Sequence, residues 1–317
     1  MSGSGHIINY NIRAAKSVER RMIIDVAKNL FKANNPSNSR YIGFGSFYFT
    51  DYKLAHKDLH INNLISFEMN KDDIPRAEFN KPYKSVSVIA GASTVLLPNI
   101  DWTKELRDFI WMDYDGELST YMFADCETIF SYASAGSLYL MTCKRQLTRF
   151  APISNFKEIF GVLAPHTVGE KNLTGENGSD LKLIRKMFLN QIKHIINDRN
   201  LSLDASEQLA FYPLLFFSYK DGAPMMSFGG FLEKKSQAFS LDKYGLENFF
   251  FIREGEEAFK INPPILTYKE THFVNSHLPE DEEAFINDGN LSFLSSDAKQ
   301  DYRLLYKYMP NYMDVIF

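Results

Sequence analysis

Short apolar runs, separated by helix-forming stretches, constrain this chain more than any other feature. The runs are YIGF at 41–44, LISFE at 64–68, SVSVIA at 85–90, DFIWMD at 108–113 and SLYLMTC at 137–143. Helical patterns at 51–60 and 118–133 lie between them. Runs this short and this apolar suit strands buried on both faces, and crossovers between them imply a mostly parallel sheet. Right-handed crossovers then give a doubly wound α/β arrangement. Before the first run, residues 17–33 read as an amphipathic helix. Met22, Ile23, Val26, Leu30 and Phe31 share one face, with Arg20, Arg21, Lys28 and Lys32 on or near the other. A loop of turn formers, ANNPSNS at 33–39, follows.

The second half opens with a strong helix at 180–198. Two long apolar runs, LAFYPLLFFSY and APMMSFGGFL, then flank Lys220-Asp221-Gly222. An Asp-Gly turn between such runs predicts an antiparallel hairpin. Pro213 predicts an irregularity or an edge in its first strand. Residues after about 236 read as an extension of short elements.

Composition narrows the function classes. The 317 residues suit one large domain or two modest ones, and 45% hydrophobic against 23% charged is ordinary for a globular chain. A net charge of −4 excludes generic nucleic-acid binding by bulk electrostatics. With only Cys126 and Cys143, a disulfide framework is excluded and two reduced core thiols are expected. No run approaches the length of a membrane span, and MSGSGHIINYN lacks a signal-peptide pattern, so a cytoplasmic protein with no membrane contact is expected. The opening MSGSG is left out of the fold argument.

The first run ends in Gly43-Phe44-Gly45-Ser46 and feeds a helix expected to begin near Asp51. Glycine lets backbone approach a ligand closely, and a helix N-terminus adds N–H donors and partial positive charge. An acidic residue at the end of the next strand, roughly 20 residues on, can accept both ribose hydroxyls, and Glu68 stands there. The alternative is that the two glycines allow close helix–strand packing and that Glu68 is a solvated strand end. The third run ends in Gly91-Ala92-Ser93, before Leu97-Pro98. The fourth ends in Asp113-Tyr114-Asp115-Gly116.

These landmarks, in this order over about residues 38–235, resemble the class I S-adenosylmethionine-dependent methyltransferases, whose sheet has seven strands and a terminal hairpin. In finer detail, NYNIRAAKSVERRM, RYIGFGSFYFTDYKLAHKDL, EFNKPY and WMDYDGEL resemble a bacterial family catalogued as "putative O-methyltransferase". The resemblance is densest over the first 150 residues. It implies a Rossmann-like fold and S-adenosylmethionine held by Gly43, Phe44, Gly45, Ser46, Glu68, Met69, Ala92 and Ser93. Three positions depart from the class pattern. Tyr41 stands where an acid is usual, Phe47 where a third glycine is usual, and Ala92 or Ser93 where an acid commonly meets the adenine amino group. Ser46 and Ser93 could supply hydroxyl hydrogen bonds instead, with a smaller net gain than a charged acceptor.

Asp113 and Asp115 flank Tyr114, and strand alternation would put both carboxylates on one side. That pair suits a proton acceptor, a substrate amine or a hard cation. The alternative is a polar strand terminus with a turn at Asp115-Gly116. Arg13 and Lys16, ahead of the helix, are candidates for substrate or phosphate contact and for nucleic acid; Arg20 and Arg21 read as a solvated helix face. His56 and His60 sit at i and i+4 without the glutamate of a zinc-protease motif, so no metal site is predicted. Asn262-Pro263-Pro264-Ile265 resembles an amino-methyltransferase motif but falls after the hairpin and lacks the aromatic residue.

The resulting expectation is three segments. They are an N-terminal basic arm and helix at 1–37, a Rossmann-like methyltransferase domain at 38–236, and an extension at 237–317 packed on it. Methyl transfer from S-adenosylmethionine, with Asp113, Tyr114 and Asp115 at the reacting centre, is the leading reading. The competing one is a degenerate methyltransferase fold serving as a binding or regulatory module, for example in anti-phage defence or nucleic-acid processing. The acceptor is a small molecule or a macromolecule that the sequence does not name.

Overall fold

A computed structural model describes residues 13–32 and 38–310. The expected arm at 1–12 and most of the 33–39 loop lie outside the described residues.

The eight strands are β1 Ser39–Phe44, β2 Asn63–Glu68, β3 Val86–Ala90, β4 Arg107–Glu117, β5 Ser137–Lys144, β6 Leu209–Asp221, β7 Ala223–Lys234 and β8 Phe259–Ile261. They form one sheet in the order β3-β2-β1-β4-β5-β7-β6-β8. β1 to β5 run parallel, and β7 enters antiparallel between β5 and β6. This is the class I methyltransferase arrangement, so the doubly wound α/β expectation holds. It requires one correction. The sheet has an eighth strand, because β8, from the extension, pairs parallel with β6 from Phe217 to Tyr219.

Helices α1 Ala14–Phe31, α2 Thr50–Leu59, α3 Ile74–Asn80, α4 Ser93–Leu96, α5 Thr120–Tyr132, α6 Ile153–Phe160, α7 Glu170–Thr174 and α8 Ser179–Asn200 connect the strands. Alternation along β4 shows how the two faces are covered. Phe109 and Trp111 join Val18, Met22, Val26, Tyr52 and Ala55 of α1 and α2 in one core. Ile110, Met112 and Tyr114 join Met122, Cys126, Ile129 and Phe188 of α5 and α8 in the other. Cys126 and Cys143 are buried free thiols in α5 and β5, as expected. At the amino-terminal edge of the sheet, Arg40 and Asp108 form a buried ion pair at 2.8 Å, and Arg40 Nη1 donates to the Asp101 carbonyl.

The extension does more than cover the sheet. Beyond β8, Leu246, Phe251 and Leu305 enter the core shared with α1. Helices α9 Tyr268–Asn275, α10 Glu282–Asn287 and α11 Ser296–Leu305 gather a small core of their own around Val274, Phe285, Leu291 and Tyr302. Asn262 donates to Asp301 and Ile265 is fully exposed, so the Asn-Pro-Pro stretch belongs to this region and not to the cleft.

Strand β4 runs through Glu117, with a register shift between Asp113 and Glu117. Asp113-Tyr114-Asp115-Gly116 therefore lies inside an irregular strand, not at a turn. The hairpin forms as expected, with its irregularity at Pro213–Leu215, where the missing N–H interrupts the ladder.

Helix α1 begins at Ala14, three residues earlier than periodicity suggests, and Arg13 offers no side-chain cap. The cap comes from the tip of the β6–β7 hairpin. Asp221 accepts from the Lys16 N–H at 2.8 Å and from the Ala15 N–H at 3.4 Å. A carboxylate there satisfies orphan donors and opposes the helix dipole. Asp221→Ala is expected to lower stability by about 1–2 kcal/mol, the range for losing an N-cap. Urea unfolding measures it, and an unchanged midpoint would mean that water serves those donors equally well.

Candidate functional site

In an open parallel sheet, ligands meet the carboxyl ends of the strands where the strand order reverses. Here that point lies between β1 and β4. Gly43 pairs with Trp111, so the turn after β1 lies beside the segment of β4 that carries Asp113. On the other side, Glu68 pairs with Ala90, and the Gly91 N–H donates to the Glu68 carbonyl at 2.9 Å. Gly45, Ser46, Glu68, Ala92 and Ser93 thus share one edge of the sheet.

The two glycines are required by the protein itself. A Cβ on Gly43 would stand 2.8 Å from the Trp111 carbonyl oxygen, and one on Gly45 would stand 2.3 Å from Ser66 Oγ and 2.9 Å from Phe49 Cε1. The close-packing alternative accounts for both. The turn passes through Phe49, at φ 47, before α2 begins at Thr50. The helix starts near Asp51, as the sequence predicts, and Asp51 in its first turn is a buried partner of Arg20, at 2.6 Å. Tyr41, where an acid is usual, packs edge-on against Tyr52 and Phe109. Phe47 lies under the Arg76 guanidinium, 4.0 Å from the ring centre.

Glu68 is half-buried and accepts the Asn70 N–H at 2.9 Å. Met69 is exposed. Ser46 Oγ accepts from the Tyr48 N–H. Ser93 points elsewhere: its hydroxyl donates to Asp125 Oδ2 at 2.6 Å, and the Tyr114 hydroxyl donates to the same oxygen at 2.7 Å. Burial raises the Asp125 carboxyl above its usual range, against the pull of these two bonds. Tyr114 therefore faces the α5 side, away from Asp113, with Phe44 and Tyr121 packed on its ring at 5.1 and 5.7 Å. A direct reacting role for the Tyr114 hydroxyl does not fit this burial.

On the α1 side the sheet edge is charged. Lys16 Nζ lies 2.8 Å from Asp113 and 2.8 Å from Glu19, and donates to the Tyr219 hydroxyl at 3.3 Å. It sits over the Trp111 ring at 4.7 Å. Ser227 Oγ donates to Glu19 and is joined to Thr142, which accepts from Trp111 Nε1 at 3.1 Å. Burial alone would lower the Lys16 ammonium; Asp113 and Glu19 outweigh it and leave Lys16 above its usual value. Burial raises Glu19 despite the attraction of Lys16, and Asp113 adds to the rise.

Lys16 therefore lies within the helix, and its donors go to carboxylates and a phenol, not to an open phosphate site. Arg20 is a correction of the same kind: it is buried against Asp51, not solvated. Arg21 is exposed and reaches the carbonyls of Tyr308 and Met309. Arg13 lies at the start of α1, close to the hairpin tip at Gly222. His56 bonds the Ile61 carbonyl and packs at a tilt against Tyr83, while His60 ends the helix in a left-handed conformation. Among the described residues, no cluster of three or more His, Cys, Asp or Glu is placed to hold a metal ion, and no helix is long and apolar enough to cross a membrane.

Sequence reasoning missed Glu19, Asp125, Tyr219, Ser227 and the capping Asp221. One signal was available. Lys16, Glu19 and Arg20 fall in phase with Ala15, Met22, Ile23 and Val26, so charged residues occupy the apolar stripe of α1.

A family profile described as "Putative O-methyltransferase" matches residues 8–317. Among solved structures, the chain is similar to a SAM-dependent methyltransferase from Anabaena variabilis, at 11% identity over 73% of this chain and 90% of that one, with a TM-score of 0.40. It is also similar to an rRNA methylase from Streptococcus thermophilus, at 8% identity over 67% and 94%, TM-score 0.34. A third is LepI in complex with SAM, at 10% identity over 66% and 46%, TM-score 0.35. The chain spans 46% to 62% of the length of the first structures matched. The comparison with curated proteins found no match.

Proposed function

We propose that this chain, which belongs to the family described as "Putative O-methyltransferase", transfers a methyl group from S-adenosylmethionine to an acceptor seated against the carboxyl end of β4. The observation that carries the reading is the strand order β3-β2-β1-β4-β5-β7-β6, with β7 antiparallel, on a chain of that family. S-adenosylmethionine supplies an electrophilic methyl group on a sulfonium sulfur. The donor set at the switch point fits it. Glu68 at the end of β2 offers a carboxylate for ribose hydroxyls, and the backbone of Gly43 to Ser46 and of Ala92 and Ser93 borders the same edge.

The protein's own share of the chemistry is placement and proton handling. Asp113 is held in one orientation by Lys16, with its side chain 23% exposed, so it is fixed yet reachable. Asp113 and Asp115 orient the acceptor, and one of them takes its proton as the new bond forms. Orientation of this kind can supply most of the acceleration of an in-line displacement. Small-molecule and macromolecular acceptors both fit this reading.

Methyl transfer from labelled S-adenosylmethionine to a cell extract tests it. Asp113→Asn or Asp115→Asn is expected to lower labelling by about 10²-fold, the effect of losing a positioned base. Equal labelling by wild type and both variants would remove the carboxylates from the mechanism. Binding of S-adenosylmethionine with no labelling by wild type would favour the regulatory-module reading, which the departures at Tyr41, Phe47 and Ala92 also favour.

A further inference from the structure

A cavity of about 340 Å³ opens where the chain leaves β4 and β5. Leu118 and Thr120 line it on the approach to α5, Arg149 and Phe150 after β5, and Ile159 and Phe160 at the end of α6. Leu118, Phe150 and Phe160 are buried members of the core on the α5 side, and Phe150 meets Phe160 edge-on at 5.3 Å, so this wall is fixed and apolar. Ile159 is exposed. Arg149 brings charge to the apolar wall. Its Nε lies 2.6 Å from Glu117, its Nη2 donates to the Leu118 carbonyl at 3.2 Å, and its guanidinium rests on the Phe150 ring, 4.5 Å from the centre. Those two polar contacts use two of five N–H donors on a side chain that is 48% exposed, so donors remain for a ligand. An ion pair this exposed adds little to stability, so the fold itself does not call for an arginine here.

The volume falls at the low end of the range for small-molecule sites, about 300–1,000 Å³, and suits a compound of one or two rings. Aromatic and aliphatic walls favour the rings, and a guanidinium favours a carboxylate, which exchanges with Glu117 or binds beside it. We propose that this cavity binds a small ring-bearing carboxylate, with its acid group on Arg149 and its ring against Leu118, Phe150 and Phe160. Tyr121 ties the cavity to the proposed reacting centre. It follows Thr120, its ring packs on Tyr114 at 5.7 Å, and a Cβ on Gly116, the neighbour of Asp115, would stand 3.4 Å from its hydroxyl. That the bound compound is the methyl acceptor rests on the methyl-transfer reading; that the cavity binds it does not. The inference narrows the acceptor to a small molecule.

Three probes test the site: para-hydroxybenzoate, its two-ring counterpart hydroxynaphthoate, and the neutral para-hydroxybenzamide. Ligand-observed NMR and calorimetry on the full chain are expected to show saturable binding of the acids and weaker binding of the amide. Arg149→Gln should weaken the acids by ~10-fold and the amide by less than ~2-fold. Glu117→Gln frees the guanidinium and should tighten the acids by ~2–5-fold, a change of opposite sign that loss of structure does not produce. Ile159→Trp fills the cavity from an exposed position and should abolish binding of all three. No binding of either acid at millimolar concentration, or equal losses for acids and amide in Arg149→Gln, would overturn the site. Labelled S-adenosylmethionine then separates the site from the methyl-donor reading. Methylation of a bound acid by wild type, and not by Ile159→Trp, supports both. Binding of the acids with no labelling of them or of a cell extract sinks the donor reading and leaves the site standing. Labelling of macromolecules in the extract, with no binding of the acids, overturns the site and leaves the donor reading standing.

Discussion

Lys16→Met is expected to destabilise the protein by about 3–5 kcal/mol near neutral pH, the cost of removing one partner from a buried ion pair. The methylene stem of Met can still cover Trp111, so lost packing is a minor part. What remains is Glu19 and Asp113 facing each other without a cation. The loss should depend on pH. Glu19 already has a raised folded-state pKa, because burial outweighs Lys16. A carboxyl raised on folding contributes its stability when protonated and loses it as pH rises from the ordinary carboxylate range through the raised folded value. Removing Lys16 raises Glu19 further, so Lys16→Met should recover much of its deficit at about pH 5 relative to about pH 8. Glu19→Gln in the same chain should recover it at both. Urea unfolding of the single and double variants at the two pH values checks this. A deficit independent of pH, and not relieved by Glu19→Gln, would mean that the charge cluster contributes little and that Lys16 acts through packing.

Gly45→Val is expected to cost about 3 kcal/mol or more of stability, at the upper end for overpacking a closed site. Its Cβ alone would enter the space of Ser66 Oγ and the Phe49 ring. The Phe49 ring is fully buried and cannot move far, whereas Ser66 Oγ is free to rotate, so the ring sets most of the cost. Gly45→Ala should cost less but remain measurable, since only the Cβ collides. Thermal unfolding beside S-adenosylmethionine binding separates the two explanations of this glycine. A variant that keeps its unfolding midpoint but loses the ligand would return Gly45 to the ligand-approach role that the strand–glycine–helix pattern suggests.

Gly45 marks the boundary of what a one-dimensional pattern conveys. A glycine at a strand end signals that something comes close, and only the fold identifies it as Ser66 and Phe49. Asp51 behaves likewise. Its place in the first turn of α2 was readable, but its partner Arg20 comes from a helix packed against α2. From the sequence, Arg20 reads as solvated, because charge usually marks the wet face of a helix. The second layer that covers this end of α1 becomes visible only once the chain is folded.

The sequence by itself determined the first five strands, the hairpin, the principal helices and the doubly wound plan. Those depend on local hydrophobic period and on handedness, which each segment carries in its own residues. It also placed Gly43 and Glu68 near the carboxyl ends of β1 and β2 in their order, since spacing along the chain translates directly into position along parallel strands. Only the tertiary structure decided that Tyr114 turns to Asp125, that Asp221 caps a helix 205 residues earlier in the chain, and that a three-residue strand from the extension joins the sheet. It also decided that Lys16 is shared by Glu19 and Asp113. The physical reason is the same in each case. A hydrogen bond or an ion pair has no period and leaves no trace in its own neighbourhood of the chain, and a buried charge is tolerable only beside partners that folding brings from elsewhere.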